Sequence, residues 1–102
     1  MELLGEVSLR GIRPETVIGM IIVSEAYKKY DARCQFTSIT DGQHSVASLH
    51  YVGFAFDCRT ISIDPDKVQK IVLECKRALN SEWDVVLEDD HLHVEYQPKR
   101  GR

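Results

Sequence analysis

The sequence predicts an α+β fold in which a small antiparallel sheet packs against two helices. Two stretches carry apolar residues at helical spacing, each opened by a proline. Others alternate apolar and polar residues with the period of a half-buried strand. A chain of 102 residues is enough for one domain with a single core.

Taken in order, Glu6-Val7-Ser8-Leu9 reads as a short strand or a packed arm. Pro14 suits the first helical position, where a missing N–H costs nothing, and Ile12 with Val17 has the spacing of a hydrophobic staple. That helix is expected to reach about Tyr30 and to bury Val17, Met20, Ile21 and Tyr27. Cys34 to Ile39 reads as a strand ended by the Asp41-Gly42 turn, and Gln43 to Tyr51 as a loop. From Phe54 to Arg59, Phe54, Phe56 and Cys58 share an apolar face, with Ala55, Asp57 and Arg59 opposite. Asp64 is a good N-cap before Pro65, and Ile63 with Val68 repeats the staple. Val68, Ile71, Val72, Cys75, Ala78 and Leu79 then form a helical stripe, ended by Asn80-Ser81. Trp83 to Leu87 and Leu92 to Tyr96 pair as a hairpin around Glu88-Asp89-Asp90-His91.

Composition narrows the function. A net charge of −3 offers no basic field, so nucleic acid is not an expected partner, and Lys99-Arg100-Gly101-Arg102 reads as a solvated end. The apolar run Val17 to Val23 is too short to span a bilayer, so no membrane insertion is expected. Met1-Glu2-Leu3-Leu4 lacks the basic start and long apolar region of a secretory signal. The expectation is a cytoplasmic location, or a phage protein that reaches the cell wall through lysis. Cys34, Cys58 and Cys75 are odd in number and widely spaced, so no disulfide framework follows. They read as buried thiols in a reducing compartment.

The chemistry lies in His50 and Asp57, seven residues apart, answered near the C-terminus by His91-Leu92-His93. Neutral imidazoles and a carboxylate are what a catalytic zinc takes as ligands, leaving a fourth position for water. Gly53 allows close backbone approach at the entrance of the Asp57 strand. His91, His93 and Glu95 share a polar face against Leu92, Val94 and Tyr96, as Asp57 opposes Phe56 and Cys58. Two strands so patterned point to one site on a half-buried sheet. Each residue alone also has a structural reading: a hydrogen-bonded histidine, a solvated acid, a charged turn. Ser45 and Ser48 read as loop-holding hydroxyls rather than nucleophiles. Arg59 reads either as an anchor for a substrate carboxylate or as the partner of a neighbouring acid.

The pattern Ser48-x-His50-x-x-Gly53-x-Ala55-x-Asp57, followed by His91-x-His93, resembles the zinc peptidases that include D-alanyl-D-alanine carboxypeptidases, D-Ala-D-Ala dipeptidases and phage endolysins. A longer stretch, from Asp41-Gly42-Gln43-His44-Ser45 through Leu49-His50-Tyr51 to Asp57, is similar to the signalling domain of hedgehog proteins, which shares that zinc fold. The resemblance covers about Cys34 to Tyr96. It implies a hedgehog/D,D-peptidase-like fold whose sheet carries Zn2+ held by His50, Asp57 and His93. It places His44 and His91 on two further active-site histidine positions that flank the metal-bound water. It also implies a catalytic carboxylate shortly before the last ligand. That is Asp90 by the spacing of the peptidases, or Glu88 by that of hedgehog-type domains with a short deletion. Of the hedgehog calcium site only Asp41 is evident.

The implied activity is that of a zinc metallopeptidase of the D,D- or L,D-carboxypeptidase or endopeptidase type. Its substrate would be a peptidoglycan stem peptide or a D-Ala-containing dipeptide. Zinc lowers the pKa of a bound water from 15.7 to about 7. Glu88 or Asp90 would take the proton, and His91 or His44 would donate to the oxyanion. The alternative is a hedgehog-like zinc-binding module that binds a protein partner without turnover. A carboxylate retained before His93 favours catalysis. A phage structural or lysis-associated role is compatible with either.

Overall fold

Alternating side chains give the sheet two unlike faces, and both helices cover the apolar one. The computed structural model describes residues 1–5, 14–40 and 54–97. Along the chain these form β1 (Glu2–Leu3), α1 (Pro14–Lys29), β2 (Gln35–Thr40), β3 (Phe54–Arg59), α2 (Pro65–Ala78), β4 (Trp83–Leu87) and β5 (His91–Tyr96). The strands lie in the order β1-β2-β3-β5-β4. All neighbours are antiparallel except β1, which runs parallel to β2. The α+β class therefore holds, but the sheet is mixed rather than antiparallel throughout. A two-residue edge strand has no period to read, so β1 left no signal. The arm expected at Glu6 to Leu9 lies outside the described residues.

Leu92 and Val94 of β5 are fully buried, with Phe56 and Cys58 of β3 and Phe36 of β2. They meet Met20, Val23 and Tyr27 of α1 and Ile71, Val72 and Cys75 of α2 in one cluster. Each such side chain contributes about 1.5–3 kcal/mol on burial. The helix-side face thus carries the stability, and the other face is left for polar chemistry. At its start α2 follows the sequence: the Asp64 carboxylate accepts from the Asp66 N–H at 2.8 Å, and Pro65 opens the helix. The stripe runs through Cys75 to Leu79, whereas Ala78 is exposed. Of the described helices, none is long and apolar enough to cross a membrane.

Helix α1 departs from expectation. Val17 and Ile21 are 36% and 50% exposed, and the buried face is Thr16, Gly19, Met20, Val23, Ala26 and Tyr27. The helix is apolar nearly all round, so periodicity alone could not choose its inner side. Close approach chose it. A Cβ added to Gly19 would stand 2.8 Å from Cζ3 and 2.9 Å from Cζ2 of Trp83. That ring is held by Phe56 and Tyr96, with centroids 6.3 and 4.9 Å away. Gly19→Ala gains about 1 kcal/mol of helix propensity but meets an overpacking cost of about 1–3 kcal/mol. A thermal midpoint lowered by several degrees is expected by circular dichroism. A raised midpoint would mean that the indole yields.

The three cysteines are buried free thiols. Burial pushes Cys75 up to about 12 and Cys58 in the same direction. An unfolded thiol ionises at about 8.5. The stabilisation from keeping Cys75 protonated is therefore complete below that pH and is lost as pH rises from there towards 12. The urea midpoint should be level between about pH 7 and 8 and should fall steeply above about pH 9. Cys75→Ala should fall less steeply. A level wild-type profile to pH 11 would contradict this.

Candidate metal centre

Strands β3 and β5 pair so that Asp57 stands opposite His93, Arg59 opposite His91 and Ala55 opposite Glu95. Directly opposed residues project to the same side of a sheet. With Leu92 and Val94 turned to the helices, His91, His93 and Glu95 face the other way beside Asp57. His91 was expected in the hairpin turn; it is instead the first residue of β5, which fixes its side chain on this face.

The contacts form a line across the two strands. His93 Nδ1 lies 2.8 Å from Asp57 Oδ1, and its Nε2 lies 3.0 Å from Glu95 Oε1. Glu95 in turn accepts from the Gln97 side-chain amide. On the other side, His91 Nε2 is 3.8 Å from Asp57 Oδ1, and His91 Nδ1 is 2.7 Å from Asp90 Oδ1. The ends of β3 and β5 are locked where the Thr60 N–H donates to the Asp90 carbonyl at 3.2 Å. Side chains of Asp57, His91, His93 and Glu95 are each between 25% and 32% exposed. They are shielded enough to strengthen electrostatics and open enough to meet a ligand.

Charge follows this arrangement. Burial works against the charged form of His93, but its hydrogen bonds to Glu95 and Asp57 outweigh it and hold the imidazole above its ordinary value. The hydrogen bond with His91 holds the Asp90 carboxyl below the usual carboxylate range. An imidazole between two carboxylates has a ready exchange available. A metal at Nδ1 would take the place of one proton, with the Glu95 carboxylate still positioned to accept from Nε2–H and fix the tautomer.

Of the residues singled out from sequence, Asp57, His91, His93 and Asp90 are brought together. His50 and His44 lie outside the described residues, as do Ser45 and Ser48. Among the described residues no group of three or more His, Cys, Asp or Glu side chains is placed to hold a metal. Asp57 and His93 supply two donors. Zinc takes nitrogen and oxygen at about 2.0–2.2 Å, so two tetrahedral ligand atoms stand about 3.4 Å apart. Opening the present 2.8 Å contact by roughly half an ångström meets that need, and the donor types fit the ion. The Glu88 N–H donates to the His91 carbonyl at 2.9 Å, and the residue lines a groove with Thr60, Pro65, Val68 and Gln69 at the start of α2. Gln97 was missed from sequence; its signal was its position on the same alternating face, two residues past Glu95.

Comparison with protein-family models, with characterised proteins and with solved structures gives no match, so the reading of this site rests on its residues and their geometry.

Proposed function

We propose that this protein is a zinc-dependent peptidase of the D-Ala-D-Ala carboxypeptidase or endolysin type. Its substrate would be a peptidoglycan stem peptide or a D-Ala-containing dipeptide. The observation that carries the reading is the Asp57–His93 contact at 2.8 Å, on adjacent strands, with the Asp90–His91 pair beside it. Those are two of the three ligand types such a site needs, joined to a carboxylate three residues before the last of them.

Bound at Asp57, His93 and His50, zinc would supply a Lewis acid for the scissile carbonyl and an acidified water. Asp90, ionised at neutral pH, accepts the proton of the attacking water and returns it to the leaving amine. His91 orients that carboxylate through Nδ1 at 2.7 Å. Its Nε2 lies 3.8 Å from Asp57 Oδ1, on the side where the oxyanion would develop. Glu95 keeps the His93 ring in register. Val86, opposite His93 and 46% exposed, offers an apolar shoulder for the substrate.

The test is elemental analysis of the purified protein together with mass spectrometry of digested muropeptides. One zinc per chain and a mass loss at a stem-peptide bond are expected. Zinc without cleavage of any stem peptide would favour a binding module that lacks turnover.

A further inference from the structure

A groove of ≈ 440 Å³ opens between the start of β2, the end of β3 and the first turn of α2. Arg33, Arg59 and Lys67 line it, against the single acid Asp31. That is a local excess of positive charge on a chain whose net charge is −3. Arg33 is committed to Glu2, at 2.5 Å from its Nε. Arg59 and Lys67 enter no ion pair among the described residues. Ile61 and Ile63 give the groove apolar wall as well, so it suits an amphipathic ligand better than a bare ion.

Arg59 joins this groove to the metal centre. It pairs with His91 in β5 and stands two residues after Asp57 on the same face of β3. Two residues of strand span about 7 Å, the reach of one to two residues of extended peptide. Its backbone is fixed, because the buried Tyr27 hydroxyl donates to its carbonyl at 3.1 Å. A guanidinium on a fixed backbone loses little freedom on meeting a planar anion, and its forked N–H groups match a carboxylate.

We propose that the groove lined by Arg59 and Lys67 binds a carboxylate of the peptide whose scissile bond lies at Asp57 and His93. The protein thereby selects peptides with a free acid one or two residues from that bond. This rests on the peptidase reading above. The carboxylate is either the peptide's C-terminus or an internal side-chain or isopeptide acid, and the recognition chemistry is the same.

Three synthetic stem pentapeptides distinguish the sources: one with both acids free, one amidated at the C-terminus, one amidated at the internal acid. With zinc-loaded wild type, amidation of the recognised carboxylate should lower kcat/KM about tenfold. The loss should shrink as salt is raised. In Arg59→Gln and in Lys67→Gln the discrimination should fall to about twofold or less. Equal rates for all three peptides would overturn the groove and leave the peptidase reading standing, as would discrimination that survives in both variants. If wild type cleaves none, the peptidase reading fails and the groove is judged by calorimetric titration of the same peptides. Tighter binding of the free acid, lost in Arg59→Gln, would uphold it; equal binding would overturn it too.

Discussion

Asp57→Ala and His93→Ala are each expected to abolish stoichiometric zinc, weakening its binding at least a hundredfold. The two side chains meet at 2.8 Å on neighbouring strands, and a site with three protein ligands has no redundancy. His50→Ala should do the same, since His50 is the proposed third ligand. Glu95→Gln should sit between these and wild type. It keeps the acceptor on His93 Nε2 but removes its charge, and such supporting partners typically contribute 10–100-fold in affinity. Elemental analysis after gel filtration reads all four variants. Full zinc occupancy in Asp57→Ala would overturn the ligand assignment. Chelation provides a second reading. A ligand present at a thousand times its Kd stabilises by about 4.1 kcal/mol, and each kcal/mol moves the midpoint of a domain of this size by about 4–8 °C. Excess chelator should therefore lower the melting temperature by more than ten degrees, and an unchanged melting curve would contradict a folded zinc site.

How far the sequence reveals this protein depends on which signals are local. Strand β5 was legible because His91-Leu92-His93-Val94-Glu95 alternates without interruption, and the burial follows that alternation residue by residue. Helix α2 was legible because Asp64, Pro65 and a one-sided stripe all agree. Helix α1 was legible as a helix but not in its orientation. Val17, Ile18, Met20, Ile21, Ile22 and Val23 offer apolar groups on every side, and the fit of Gly19 to Trp83 is a tertiary fact. The same holds for β1, whose place beside β2 depends on pairing across more than thirty residues.

For the site, the pairing of Asp57 with His93 was implied by two polar faces, though register is set by the whole of β3 and β5. The choice between Asp90 and Glu88 could not be made from spacing, because it turns on what each carboxylate meets in the folded chain. Asp90 reaches His91, while Glu88 lines the groove at the start of α2. Gln97 and the basic groove were invisible for a similar reason. The groove assembles Arg33 of the α1–β2 connection, Arg59 of β3 and Lys67 of α2, which lie apart in the sequence.

Asp90→Ala and Glu88→Ala are expected to separate ligand from base. Both should retain zinc, because neither carboxylate is assigned to the metal. Only Asp90→Ala should lose hydrolysis, by about 10²–10⁴-fold, the usual range for a general base. The geometry favours Asp90: its carboxylate lies 2.7 Å from His91 Nδ1, and the far nitrogen of that ring is 3.8 Å from Asp57. It therefore belongs to the row of groups around the proposed metal position. Glu88 is held beside His91 by its backbone, its N–H donating to the His91 carbonyl at 2.9 Å. The structure shows no contact between its carboxylate and the His91 ring among the described residues, and it lines the groove at the start of α2. Asp90→Asn should resemble Asp90→Ala in rate while keeping the hydrogen bond to His91, which separates loss of the base from loss of the histidine's position. Zinc-loaded wild type and the three variants would be assayed on D-Ala-D-Ala-terminated muropeptides. Retention of the wild-type rate in Asp90→Asn would remove Asp90 from the chemistry. Loss in Glu88→Ala with retention in Asp90→Ala would move the base to Glu88.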